Sequence, residues 1–222
     1  MERHRLGNTD LTVSIIGLGC YGMSGAYGPG DDAESIATIR RAFDLGVNFL
    51  DTSASYGQGH NHRLIGEAIR GRRHDVVIHS KSGSPREGGP DAVRSGGDPR
   101  YLRQTCEQSL KNLGIETLDV FCMSRVDPHV PVEESVGGMA ELVREGKTRF
   151  ISLSECSAHS LKRGSAVQGA TRTPPISSPG QQSLAPNEKT RRPSCSDGSR
   201  ASASRCQRAN TSAVVSRRTP RL

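Results

Sequence analysis

The stretch Val47-Asn48-Phe49-Leu50-Asp51-Thr52-Ser53-Ala54-Ser55-Tyr56-Gly57 decides how this chain reads. A β-type run, Val47–Asp51, ends on a carboxylate, and a tyrosine follows five residues later on a loop of small residues. Upstream, Asp32–Leu45 places Ile36, Ile39, Ala42 and Phe43 on one helical face. Asp31 or Asp32 can accept its first free amide hydrogens, and Gly46 suits the left-handed C′ position. Downstream, Asn61–Arg70 groups Leu64, Ile65, Ala68 and Ile69 ahead of Gly71, and Val76–Lys81 forms the next β-type run. The alternation continues outward. Runs at Ile15–Gly19, Leu118–Ser124 and Thr148–Ser154 complete a set whose starts are spaced by 32, 29, 42 and 30 residues. Asp98-Pro99 opens a helix with proline near its first position, carrying Leu102, Cys106, Leu110 and Leu113. Glu133–Glu145 carries Val136, Met139, Ala140 and Val143 and stops at Gly146. Repeated βα units joined by right-handed crossovers predict a parallel sheet with helices outside. Two architectures fit, a doubly wound open sheet and a (β/α)8 barrel, and a complete barrel needs about eight such units.

Composition divides the chain at Arg163. Of 222 residues, 30 are Lys or Arg and 23 Asp or Glu, a net charge of +7. Residues 164–222 hold 10 of the basic and 2 of the acidic residues, a balance of +8, which leaves 1–163 at −1. All eight Phe and Tyr residues lie at or before Phe150, and there is no Trp. The last 59 residues contain eleven serines and six prolines but only six Val, Ile, Leu, Met or Phe. Such a segment buries too little apolar surface to offset the entropy of ordering it. We therefore expect a globular unit over 1–163 and a disordered, low-complexity Ser/Pro/Arg-rich tail over 164–222. The basic cluster Lys189, Arg191, Arg192 lacks interleaved aromatics for base stacking, so nucleic acid is not an expected partner. No apolar run approaches the ~18 residues of a membrane span, and no apolar h-region follows Met1–Arg5. Six cysteines without a CxxC pair fit a reduced, cytoplasmic setting. His60 and His62 read as surface loop positions with no third ligand, so no metal is expected. Residues 83–97, a Gly/Pro-rich loop, read equally as a border of a ligand site or as a solvated insertion.

Two patterns bear on chemistry. Gly17-Leu18-Gly19-Cys20-Tyr21-Gly22 matches a dinucleotide-binding GxGxxG, with Asp51 where the ribose-binding acid would stand. In that fold the glycines open the helix, whereas here nine residues separate Gly22 from Asp32. The context therefore argues against it. The other pattern joins Asp51, Tyr56 and Lys81 at neighbouring strand ends. An ammonium beside a phenol lowers the tyrosine pKa, and a carboxylate holds the ammonium. Together they could protonate an oxyanion, or they could simply form an ion pair closing a barrel mouth.

Over residues 5–163 the chain resembles the aldo-keto reductases. Leu6-Gly7, Ile16-Gly17-Leu18-Gly19, Asp51-Thr52 with Tyr56-Gly57, and Leu64-Ile65-Gly66-Glu67-Ala68 are similar to successive family segments. So are Val76–Lys81, Ser109-Leu110-Lys111-Asn112-Leu113-Gly114, Leu118-Asp119-Val120, Arg125-Val126-Asp127-Pro128 and Val143–Ser154. The resemblance implies an α/β fold of the (β/α)8 TIM-barrel type, here truncated to about five βα units before the irregular basic tail. It implies an oxidoreductase that uses NADP(H) to reduce a small aldehyde or ketone. Tyr56 would be the general acid, Lys81 would lower its pKa, and Asp51 would pair with Lys81. Asp51, Gly19, Cys20, Tyr21, Ser154 and Glu155 would line the nicotinamide end of the cofactor. It also implies a monomer. Two departures qualify this. Ser124 stands where the family carries a substrate-orienting histidine, and a serine hydroxyl is a shorter donor that does not titrate near neutrality. The resemblance ends near Ser160–Arg163, before the strands that grip the adenosine end, as a shifted reading frame or altered splicing would produce. A catalytically inactive or regulatory relative is the alternative expectation.

Overall fold

A computed structural model of the chain describes residues 1–83, 96–169 and 213–216. Strands β1 (Arg3–Arg5) and β2 (Thr12–Ser14) form an antiparallel hairpin. The β-type runs become β3 (Leu18–Gly19), β4 (Phe49–Ser53), β5 (Val77–Lys81), β6 (Leu118–Met123) and β7 (Thr148–Leu153). They lie side by side in chain order, all parallel. Helices α1 (Asp32–Asp44), α2 (His60–Ala68), α3 (Pro99–Leu113), α4 (Val132–Arg144) and α5 (Ala158–Gly169) follow the strands in turn. Strand β8 (Ala213–Ser216) adds antiparallel to the outer edge of β7.

Local chemistry sets the helix ends. The Asp31 carboxylate accepts the Glu34 amide at 2.9 Å, and Asp98 accepts that of Arg100 at 2.7 Å, with Pro99 at the first turn. Each such cap contributes about 1 kcal/mol. Gly46 and Gly114 follow α1 and α3 with φ of +90° and +66°, a region that a side chain disfavours. Ser157 precedes α5, and its hydroxyl accepts the Ser160 amide at 3.0 Å. This helix runs through the composition boundary at Arg163, and Gly164 lies against Val136 and Leu153.

Alternation along the strands makes two cores. Leu50, Ile78, Phe121 and Ile151 point outward, where they pack with Ile39, Ile65, Leu102 and Met139 from the helices. Full burial of one such side chain contributes about 1.5–3 kcal/mol. Phe49, Val77, Val120 and Phe150 point inward, and Leu11, from the hairpin turn, closes this floor. The hairpin has no signature in the sequence because its strands are mostly exposed and do not alternate. The first strand is shorter than its β-type run. Ile15 and Ile16 precede it, 55 % and 59 % exposed, because β3 is an edge of this sheet. The loop at residues 84–95 and the basic cluster at 189–192 lie outside the described residues.

Candidate active site

The inward positions above the apolar floor are polar. Asp51 on β4, His79 and Lys81 on β5, and Cys122 on β6 all share the inner parity, as does Ser152 on β7. The Lys81 ammonium donates to Asp51 Oδ1. His79 Nδ1 lies 2.8 Å from Asp51 Oδ2, and its Nε2 lies 3.0 Å from Ser152 Oγ. The second contact reaches from β5 past β6 to β7, which requires a sheet curved around its inner face, as in a barrel wall.

Tyr56 lies on a single 3-10 turn, Tyr56–Gly59, directly after β4. Its ring centroid is 5.2 Å from Lys81 Nζ and 4.6 Å from that of Tyr21. Tyr21 follows β3, so the first and second strand ends meet over the Asp51–Lys81 pair. Asn61, at the start of α2, braces this junction. It accepts the Thr52 hydroxyl at 2.7 Å, and its amide group donates to Cys20 O at 2.8 Å and to Ser24 Oγ at 2.9 Å. Gly83 bridges the next two strand ends. Its amide donates to Ser124 Oγ at 2.7 Å, and a Cβ there would stand 2.8 Å from Ser55 Cβ.

Electrostatics follow from burial and pairing. Burial alone would raise the Asp51 carboxyl, but the His79 hydrogen bond and the Lys81 charge outweigh it and hold the group below the usual range. Burial opposes the charge on Lys81 too, and Asp51 reverses the effect and raises it. For His79, burial is overcome by Cys122 and Asp51, and the imidazole is held up at about 9. Tyr56 departs from expectation. Lys81 does pull its phenol down, but burial pushes it up by more, and the net direction is upward from 10. A phenol placed this way keeps its proton at neutral pH.

The expected site residues divide. Asp51, Lys81, Tyr56 and Tyr21 converge, with Cys20 buried beneath them and its amide donating to Asp51 O at 2.9 Å. Gly19 pairs with Asp51 across the sheet, and the space where its Cβ would stand is open. Ser154 follows β7, almost wholly buried, and its hydroxyl has no partner among the described residues. Ser124 follows β6, with its oxygen engaged by Gly83. Glu155 turns away. Its backbone is left-handed (φ +47°) and its carboxylate pairs with Arg125 at 2.8 Å. The His60-Asn61-His62 stretch is the first turn of α2 rather than surface loop. Asn61 and His62 are fully buried, because they face the sheet. His79 and Asn61 were missed as site residues. An inward-parity histidine two positions before Lys81 was the available signal.

The chain is similar to known proteins. The model of the Aldo/keto reductase family matches residues 15–190. A Glycine max protein named "Probable aldo-keto reductase 1" is 39 % identical over 169 residues, 75 % of this chain and 49 % of that protein. The holo form of an aldo-keto reductase from Bacillus halodurans superposes with a TM-score of 0.65 at 28 % identity, covering 73 % of this chain and 53 % of that one. A glycerol dehydrogenase from Gluconobacter oxydans gives 0.65 at 26 %, covering 74 % and 52 %. The chain thus spans about half the length of the relatives it matches. With the family model spanning most of its length and the parallel sheet carrying Asp51, Tyr56 and Lys81 at adjoining strand ends, the chain belongs to the aldo/keto reductase family.

Proposed function

We propose that the chain binds NADPH and reduces a small aldehyde or ketone to the alcohol, with Tyr56 as the proton donor. The observation that carries this reading is the Asp51–Lys81 pair set beneath the Tyr56 ring. The nicotinamide end of the cofactor fits the residues present. The buried Ser154 hydroxyl, without a partner among the described residues, offers a donor and an acceptor for a carboxamide, and the open space at Gly19 leaves room beside Asp51. When bound, the cofactor supplies the hydride. The chain's own residues supply the proton and its control. Tyr56 gives its phenolic proton to the carbonyl oxygen as negative charge develops there. Lys81 stabilises the phenolate left behind, and Asp51 keeps Lys81 charged and in place. Ser124 accepts from Gly83 but retains its own hydroxyl proton, which can point at the same oxygen. Residues 1–163 carry all of these groups, in a cytoplasmic monomer.

The test is NADPH oxidation with a simple aldehyde, in the wild type and in Tyr56→Phe. The variant is expected to lose at least about 100-fold in kcat, and retained turnover would overturn the assignment of the acid. The Ser124 oxygen, already engaged at 2.7 Å, favours a second reading, a relative that binds cofactor without turnover. Saturable quenching or enhancement of NADPH fluorescence without oxidation would select it.

A further inference from the structure

His79 is 2 % exposed, and neither ring nitrogen is free. It stands between the centre of the site and its far wall. Asp51 from β4 and Cys122 from β6 are the titratable groups facing it from neighbouring strands, Ser152 faces it from β7, and Lys81 lies two residues further along its own strand. The Phe49 ring packs beside it, with centroids 6.0 Å apart. An ionised carboxylate only accepts hydrogen bonds, so the nitrogen facing Asp51 must carry a hydrogen whether His79 is neutral or charged. In the neutral ring Nε2 then accepts from the Ser152 hydroxyl. In the imidazolium it donates to it. The bond to Asp51 survives either way.

We propose that His79 is a positioning residue of this site: its Nδ1–H holds the second oxygen of Asp51, and so fixes the Asp51–Lys81 pair against which Tyr56 works. The proposal rests on the reading of Tyr56 as the proton donor. Its physical logic is one of counting. Asp51 has two oxygens, and its side chain is more than one-third exposed. With only Lys81 as partner, the carboxylate could swing about its Cα–Cβ bond and carry the ammonium with it. With His79 on the other oxygen, both ends are tied, and Ser152 ties His79 in turn to a strand two places away. Lys81 then presents its charge to Tyr56 from one place.

The test compares His79→Leu, His79→Asn and Ser152→Ala in the full chain. Asparagine places an amide N–H where Nδ1 stands but carries no charge. Tyrosinate absorbance is titrated in each protein, and the Tyr56 share is taken as the difference from the same protein carrying Tyr56→Phe. The Tyr56 titration should move upward in His79→Leu, move less in the same direction in Ser152→Ala, and return toward wild type in His79→Asn. In NADPH-dependent reduction, His79→Leu should lower kcat about 10- to 100-fold with KM changed little, and His79→Asn should recover most of it. A Tyr56 titration unmoved in both His79→Leu and Ser152→Ala would overturn the proposal. So would His79→Asn behaving as His79→Leu, since charge rather than position would then be the agent. Should His79→Leu fail to fold, Ser152→Ala against His79→Asn decides the same question. A wild type that never oxidises NADPH would sink the reductase reading, and the titration would still judge His79.

Discussion

His62 and His79 are both buried, and burial disfavours the charge on each, yet their pKa values move in opposite directions. His62 reaches Ser80 Oγ with Nε2 at 3.0 Å and has no partner on Nδ1 among the described residues, and desolvation, with Arg63 and Lys81 adding to it, pushes its pKa down to about 4. His79 has Cys122 and Asp51 beside it, which outweigh burial and hold it up at about 9. For His62 the folded value lies below the unfolded value of about 6.5. Its contribution to stability is present above that value and is lost as pH falls through 4. For His79 the folded value lies above it, so its contribution is full below pH 6.5 and is lost as pH rises through 9. Each limb amounts to about 3 kcal/mol. Urea midpoints at pH 4, 6.5 and 9.5 should therefore peak in the middle. His62→Gln should flatten the acid limb, and His79→Asn the alkaline one. The convergence of Asp51, Tyr56 and Lys81 was legible because each is a chemically distinctive residue at or just beyond the end of a β-type run. The burial of Tyr56, which reverses the expected direction of its pKa, depends on neighbours far away in sequence and was not.

At the scale of elements, α2 and α3 approach so closely that a side chain at Gly66 has no room. A Cβ there would stand 2.5 Å from the Leu113 carbonyl oxygen and 3.0 Å from its carbonyl carbon. Backbone cannot yield as a flexible side chain can. Gly66→Ala should cost about 1–3 kcal/mol, read as a lower urea midpoint with unchanged slope, while Gly137→Ala, whose Cβ meets open space, should be neutral or slightly stabilising. The helices were readable because caps, glycine stops and apolar periodicity agreed. Leu64, Ile65, Ala68 and Ile69 are all buried as their spacing predicts. α5 was not read from the sequence, and its last residues fall where a disordered tail is expected. Its core-facing Gly164 touches Val136 and Leu153 without contributing an apolar side chain to the pattern. The β1–β2 hairpin was not readable at all, since its role as a floor resides in Leu11 meeting Val77, Val120 and Phe150.

For the whole molecule the decisive feature is the sheet's two edges. β8 covers β7, while β3 carries the exposed Ile15 and Ile16 just ahead of it. Exposed apolar side chains beside an edge that no described strand pairs invite pairing with another chain. Replacing Ile16 by Lys should reduce light scattering on heating without lowering the urea midpoint by more than about 0.5 kcal/mol equivalent. An unchanged scattering onset would show that association starts elsewhere. What the sequence determined by itself was the pattern of the βα units, encoded over short spans. Alternating βα units, helix caps and stops, and an acid, a tyrosine and a lysine at strand ends all follow from backbone geometry acting over a few residues. Only the tertiary structure decided how those ends meet. Curvature brings β5 within hydrogen-bond reach of β7, so that His79 joins Asp51 to Ser152. Burial then sets the proton affinity of each group, because desolvation and charge pairing depend on the packed surroundings and leave no trace in local sequence.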